Sequence, residues 1–258
     1  MNAMTQEPVV LPAEWQDTPV TVVIPTYNEA GNLPKVIDAL DRLPLAGLGV
    51  VVVDDGSPDG TGDLADELAE RWNATRSRPM TVLHRTAKNG LGRAYVAGMT
   101  AALDGGARYV VQMDADLSHP PEKIPAMLGT ALSNEAGVVI GSRYVNGGQL
   151  DADWPLNRRL LSKWATFYVN RILPLRLRDV TAGFKLWSAA ALRDIRLDKV
   201  RSNGYSFQVE CNHRAVQAGH VLLEVPIYFS ERTDGASKMT LAVKIESALT
   251  PWRLRRKR

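Results

Sequence analysis

The chain predicts an α/β fold built on an open, mostly parallel sheet, and three features of its 258 residues carry that expectation. Short β-branched apolar runs recur through the first half, stretches of helical periodicity separate them, and carboxylate-rich segments follow the runs directly. Residues 20–25 (VTVVIP) and 49–54 (GVVVVD) are continuously apolar until they end, the pattern of strands covered on both faces. Between them, residues 32–43 place Leu33, Val36, Ile37, Leu40 and Leu43 at helical spacing. Residues 59–71 repeat the helix pattern, 81–84 the strand and 92–103 the helix. Residues 109–113 (YVVQM) and 138–140 add two strands, with a helix over 122–132 between them. In such sheets ligands bind beyond the carboxyl ends of the strands, at a topological switch point. The polar residues after each strand are therefore the candidates for function.

Composition agrees with a folded globular chain, 45% hydrophobic and 23% charged, which excludes collagen-like repetition, coiled coil and disorder throughout. The single Cys211 excludes an internal disulfide framework and fits a reducing compartment. No run of 18 apolar residues occurs, so no helical membrane span is expected. Residues 1–18 lack the basic start and apolar centre of a signal peptide and read as a poorly ordered lead-in. Residues 19–240 read as one domain, and 241–258 as an amphipathic helix with a basic tail.

The net charge of +3 conceals an uneven distribution. Residues 1–142 carry 18 acidic and 10 basic side chains, residues 143–185 carry 3 and 8, and the last six residues carry five basic ones. An acidic first half followed by a basic middle and tail implies different partners for different regions. An extended basic stripe with interleaved aromatics is missing, which argues against nucleic acid.

Three strand ends are rich in polar groups: Pro25-Thr26-Tyr27-Asn28-Glu29, the segment from Asp54 to Thr61, and Asp114-Ala115-Asp116-Leu117-Ser118-His119. Asp59 is equally well explained as a turn or helix-capping residue. Asp114 and Asp116 stand one residue apart directly after a buried strand; they read either as part of a solvated loop or, since on extended chain both carboxylates point the same way, as a pair that can converge on one hard divalent cation. Gly90-Leu91-Gly92 precedes a helix but follows the third strand and lacks the third glycine of a dinucleotide fingerprint.

In one order, PTYNE, VVDDGSPDGT, NGLGRAYVAGM, MDADLSHPPE, GSRY, DVTAGFKLW and SERTDGASKM closely resemble the polyprenol- and dolichol-phosphate mannosyltransferases over about residues 20–238. The likeness is greatest to actinobacterial catalytic domains that make polyprenol-phosphate mannose. These are inverting family 2 glycosyltransferases of GT-A fold, a Rossmann-like arrangement for nucleotide-diphospho-sugars. The resemblance implies that GDP-mannose is held by Pro25, Tyr27 and Glu29 after the first strand and by Val53 and Asp55 at the second. It implies that Asp114, Ala115 and Asp116 meet the diphosphate, with Asp114 and Asp116 on Mg²⁺ or Mn²⁺. Ser118 stands where relatives place a glutamine as a further metal ligand. Arg143, Arg232 and Lys238 match positions contacting donor phosphates and sugar, and with Asp116 they are the implied catalytic set.

The chemistry of that reaction explains the charges. Cleaving the sugar–phosphate bond leaves GDP with added negative charge, which a divalent cation with Arg232 and Lys238 would stabilise. The attacking phosphate monoester has a second pKa near ~6 and is already ionised at neutral pH. No general base is needed, and His84, His119, His213 and His220 read as structural or surface residues. Arg158, Arg159 and Lys163 are the candidates for the acceptor phosphate, whereas Arg171 and Arg176 read as solvated.

Leu156, Leu160, Leu161, Trp164, Phe167, Tyr168 and Ile172 share one helical face over residues 156–173, with basic residues opposite or at its edges. Such a helix either packs on a core or lies in a lipid interface. Residues 241, 245, 249 and 252 repeat the pattern before the tail, which would add about 1 kcal/mol per basic residue at an anionic membrane. The expected setting is peripheral, on the cytoplasmic face of the cell membrane, with a membrane-spanning partner as an option. Transfer of glucose or another sugar to the same lipid phosphate, and a catalytically silent binding subunit, are the alternatives.

Overall fold

Strands made of valine and isoleucine begin the sheet because no group in their side chains needs water. In the computed structural model, which describes residues 9–152, 154–230 and 241–256, β1 (Val20–Thr26) and β2 (Leu48–Asp54) pair in parallel along their whole length and are almost entirely buried. A short helix, α1 (Ala13–Gln16), precedes them. The expected lead-in is therefore ordered over its second half, because Leu11 is buried and packs beside Gly129. Helix α2 (Leu33–Asp41), with Pro34 in its first turn, buries Leu33, Val36, Ile37 and Leu40. Helix α3 (Thr61–Asn73) starts later than its apolar pattern because the Asp59 carboxylate accepts from the backbone and hydroxyl of Thr61. Strand β3 (Met80–His84), helix α4 (Leu91–Asp104) and strand β4 (Tyr109–Gln112) complete the first half.

A 3₁₀ turn at Pro121–Lys123 leads into α5 (Ile124–Asn134), then β5 (Val138–Ser142) and a short β6 (Gln149–Leu150). Helix α6 (Leu156–Ile172) follows, then β7 (Lys185–Ser188), α7 (Ala189–Asp194) and α8 (Gly204–Gln217). Strands β8 (Leu222–Pro226) and β9 (Tyr228–Phe229) and helix α9 (Leu241–Arg255) end the described chain.

The seven-stranded sheet runs β3-β2-β1-β4-β7-β5-β8 and is parallel except at β7, which lies antiparallel between β4 and β5. Strand order reverses at the β1–β4 pair, which makes the mouth between their carboxyl ends the switch point. A parallel β6–β9 pair stands apart from the sheet and brings Phe229 beside the same mouth. Alternate strand residues feed two apolar layers, so that Val22 and Ile24 pack with α2, α3 and α5 while Val23 packs with α4 and α6–α9.

Two features set how closely α4 and α8 sit on this sheet. At Gly98 a side chain would meet Val23 Cγ1 at 2.3 Å and Val53 Cγ2 at 2.8 Å, so the helix lies against the strands at backbone distance. Lys185, on β7, is wholly buried; its ammonium group donates to Gln208 Oε1 and Asn212 Oδ1, each at 2.8 Å, tying α8 to the sheet. Burial pushes the Lys185 pKa down to about 7, although Cys211 and Asp179 nearby act in the opposite direction. No strand was expected at Lys185, because a lysine inside a short apolar run disguises it.

Replacing Gly98 by alanine should destabilise the protein. The gain in helix propensity, about 1 kcal/mol, offsets only part of an overpacking cost at the upper end of about 1–3 kcal/mol, and urea denaturation would register the net loss. Lys185 gives a pH-dependent outcome. Its folded pKa of about 7 lies below the ordinary 10.5, so between those values the unfolded chain binds the extra proton and stability rises with pH. Lys185→Met should remove that rise. Urea unfolding at about pH 6 and about pH 9 should favour the variant over the parent more strongly at the lower pH.

Candidate active site

The ends of β1 and β2 are laced together by hydroxyls and carboxylates. Asp54 accepts from Thr26 Oγ1 at 3.1 Å, from Ser57 Oγ at 2.5 Å and from the Ser57 amide at 3.0 Å. Amides on the β1 side reach across to the β2 loop: Asn28 to Ser57 Oγ, Glu29 to Thr61 Oγ1 and Ala30 to Asp59 Oδ2. Asn28 takes a left-handed φ of 61°, which turns these amides toward the loop. Asp54 is thereby occupied as a local brace, and its neighbour Asp55 meets Arg85 at 2.7 Å. Burial raises the Asp55 pKa, a shift that Arg85 and Lys88 partly oppose.

Pro25, Tyr27 and Glu29 are half-buried at this mouth, and the Lys88 ammonium stands 3.5 Å from the centre of the Tyr27 ring. Val53 is different. Its side chain is fully buried in the layer under α4, so any contact it makes with a nucleoside comes from its backbone.

After β4 the chain forms a tight acidic loop. Leu117 adopts a left-handed φ of 62°, a strained conformation for a leucine, and the turn brings both the amide and the hydroxyl of Ser118 onto Asp116 Oδ1, at 3.1 and 2.6 Å. Ser118, expected on the metal, is 1% exposed and orients Asp116 through this bond. Asp114 is held from two sides. Its amide donates to His119 Nδ1 at 3.0 Å, and its Oδ1 accepts from the Tyr95 hydroxyl at 2.5 Å. The His119 ring stacks on Phe184 and meets the edge of Phe229, so this histidine is a buried brace of the loop. Ala115 is buried between the two carboxylates.

Among the described residues no group of three or more His, Cys, Asp or Glu gathers to hold a metal. Two hard carboxylates nevertheless suit Mg²⁺ or Mn²⁺, provided a diphosphate and water supply the remaining oxygens.

Arg143, just past β5, lines a small cavity together with His119 of this loop and with Gly183, Phe184 and Phe229. Its Nε and one terminal nitrogen grip the two oxygens of Asp179 at 2.7 and 2.6 Å, and the same terminal nitrogen reaches Thr181 Oγ1 at 2.9 Å and Ser162 Oγ at 3.4 Å. Asp179 is fully buried, and Glu224 on β8 accepts the amides of Arg178 and Asp179, fixing the turn that presents it. Burial would lower the Arg143 pKa, but the Asp179 charge more than offsets it and the pKa stands above its ordinary value. The bonds described engage Nε and one terminal nitrogen of the fork, not the other.

Ser162 links Arg143 to α6, where the acceptor candidates lie. Arg159 and Lys163 are exposed and Arg158 is half-buried. Lys163 stands 5.8 Å and Arg143 5.3 Å from the centre of the Tyr144 ring, and Arg159 contributes to the field at its hydroxyl. The structure thus gathers Arg143, Arg159 and Lys163 around one tyrosine. Arg232 and Lys238 lie outside the described residues.

The apolar face of α6 is exposed. Phe167 is 70%, Leu156 68% and Trp164 55% accessible, while Thr166, Val169 and Ile172 pack inward. Tyr168 stacks on Trp164, donates to Ala248 O and accepts from Trp252 Nε1, so the patch continues onto α9 through exposed Leu249 and Trp252. No helix among the described residues is long and apolar enough to cross a membrane. Four residues of the site were not singled out from the sequence: Arg85, Tyr95, Asp179 and Glu224. Asp179 opens one motif that the family likeness had already marked and Tyr95 lies inside another, NGLGRAYVAGM, though neither residue was given a role.

Comparison with known proteins fits this geometry. The family model described as Glycosyl transferase family 2 matches residues 21–196. An undecaprenyl-phosphate mannosyltransferase of Micrococcus luteus is 43% identical over 238 residues, covering 91% of this chain and 94% of its own length. A polyprenol monophosphomannose synthase of Mycolicibacterium smegmatis is 45% identical over 219 residues, covering 85% and 80%. Among solved structures, glucosyl-3-phosphoglycerate synthase of Mycobacterium tuberculosis, in complex with Mn²⁺, UDP-glucose and phosphoglyceric acid, shares the fold with a TM-score of 0.67 at 17% identity, over 92% of this chain and 80% of that one.

Proposed function

This chain belongs to glycosyltransferase family 2, and on that premise we propose that it transfers mannose from GDP-mannose to a polyprenyl phosphate with inversion, yielding polyprenyl-phosphate β-mannose and GDP. The observation that carries the reading is the junction at Arg143, which shares a small cavity with His119 of the braced acidic loop and is tied to a helix whose apolar side is open. A donor with a charged diphosphate and an acceptor with a charged head and an apolar chain are the ligands such a junction suits. The names of the two relatives support the polyprenyl-phosphate acceptor and mannose as the transferred sugar.

In this reading Pro25, Tyr27, Glu29 and Asp55 seat the nucleotide, and Asp114 and Asp116 hold Mg²⁺ or Mn²⁺ with the diphosphate. A bound divalent cation supplies positive charge for the departing GDP. Arg232 and Lys238 are assigned to the same leaving group. Arg143 contacts the donor's phosphates and sugar, and beside it the acceptor phosphate is received by Arg158, Arg159 and Lys163. That phosphate is ionised at neutral pH, so these residues position and neutralise it without removing a proton. His119 is committed to the loop, in keeping with a mechanism that needs no general base. The apolar faces of α6 and α9 and the basic residues 253–258 support a peripheral setting against the cytoplasmic face of an anionic membrane.

Radiolabelled transfer to polyprenyl phosphate decides the donor. GDP-mannose with Mg²⁺ or Mn²⁺ should be used and UDP-glucose should not; preference for UDP-glucose would replace mannose with glucose in this assignment. Chelation by EDTA, or Asp116→Ala, should lower kcat by at least about 100-fold, the scale of a lost electrostatic stabiliser. Phe167→Glu with Trp164→Glu should release the protein from sedimenting phosphatidylglycerol vesicles while leaving its melting temperature in place; undiminished sedimentation would remove α6 from the membrane contact.

A further inference from the structure

Tyr95 belongs to none of the roles assigned above, yet its hydroxyl lies 2.5 Å from Asp114 Oδ1. We propose that Tyr95 is a positioning residue for the divalent cation: its hydrogen bond fixes the Asp114 carboxylate in the orientation needed to share one ion with Asp116. The inference rests on the reading of Asp114 and Asp116 as the metal-holding pair.

The two carboxylates are braced alike but from different distances. Ser118, two residues away in the same loop, donates to Oδ1 of Asp116. Tyr95 comes from α4, nineteen residues earlier in the chain, and donates to Oδ1 of Asp114. Its reach depends on the close seat of α4 at Gly98, one helical turn away. Its ring is wholly buried and stacks on Phe207 of α8, with centroids 6.0 Å apart and planes 11° from parallel. Burial and the adjoining Asp114 push the phenol pKa well above its ordinary value, so the group is a neutral donor. The buried Gln112 side chain adjoins the same hydroxyl.

A buried tyrosine needs some acceptor, and a purely structural role would be satisfied by any carbonyl. Here the acceptor is a half-exposed carboxylate at the switch point. Outer partners of this kind set ligand orientation, and their loss typically weakens metal binding about 10- to 100-fold.

The test uses the full chain with GDP present and follows free Mn²⁺ by electron paramagnetic resonance. Tyr95→Phe keeps the ring and its stacking and removes only the hydroxyl. It should weaken Mn²⁺ binding roughly tenfold and raise the Mn²⁺ needed for half-maximal turnover by the same factor, with the KM for polyprenyl phosphate unchanged. Phe207→Leu disturbs the packing of the same ring and should lower the melting temperature without changing Mn²⁺ affinity. Mn²⁺ binding unchanged in Tyr95→Phe, or weakened as much by Phe207→Leu, would overturn the proposal. Asp116→Asn separates the two layers of the argument: parental Mn²⁺ binding in that variant would overturn the metal-pair reading itself, while its loss alongside an unaffected Tyr95→Phe would overturn the Tyr95 role alone.

Discussion

Charge is costly inside a sheet covered on both faces, and much of this molecule follows from that constraint. Strands β1, β2 and β4 stay largely apolar until they end, and carboxylates crowd the places where the chain emerges. There each is met by a donor: Asp54 by Thr26 and Ser57, Asp55 by Arg85, Asp114 by Tyr95 and Asp116 by Ser118. Braced in this way, the acidic mouth has less reorganisation to undergo when a cation and a diphosphate arrive. Lys185 is the exception within the sheet, and its lowered pKa records what burial costs a charge.

The cationic side obeys the same rule by a different route. Arg143 is nearly buried, and Asp179 neutralises it with two of its own oxygens, while Glu224 holds the turn that carries Asp179. A buried pair of this kind adds little net stability, but removing one partner leaves the other uncompensated. Its value lies in placement. Arg143 is fixed in one orientation, with Ser162 and Thr181 beside it, and one end of its fork directed by those contacts rather than by solvent.

The first half of the fold was legible because parallel strands and their crossover helices repeat two simple periods. Observed limits differ from the expected ones by a residue or two, at points such as Asp59, where a side chain sets the helix start. The second half was less legible. Strand β7 is short, runs against its neighbours and contains a lysine, and β6 and β9 are two residues each. Site residues next to strand ends were visible as motifs. Tyr95 and Asp179 lay within motifs too, but their roles were not legible, since these arise from contacts made across 19 and 36 residues of chain. Val53 shows the converse: motif position assigned it to the nucleoside, and its side chain lies in the buried layer under α4, a distinction between side chain and backbone that a motif does not carry.

Helix α6 was ambiguous from sequence because its apolar residues fit either a core or an interface. The structure assigns the inward face to Thr166, Val169 and Ile172 and leaves Leu156, Leu160, Trp164 and Phe167 outward. The polar atoms in the patch bear on the proposed membrane contact. The Trp252 indole donates to Tyr168, and Tyr168 in turn donates to Ala248 O, so these groups already have partners within the protein. Burying them against lipid would leave neither hydroxyl nor indole unsatisfied, which removes the main penalty of taking such aromatics out of water. The helix that carries Arg159 and Lys163 toward Tyr144 therefore also carries an apolar outer face whose tyrosine hydroxyl is already satisfied. A lipid bearing a phosphate accounts for both properties at once, because its charged head and its apolar chain must be met by adjoining surfaces of the same element.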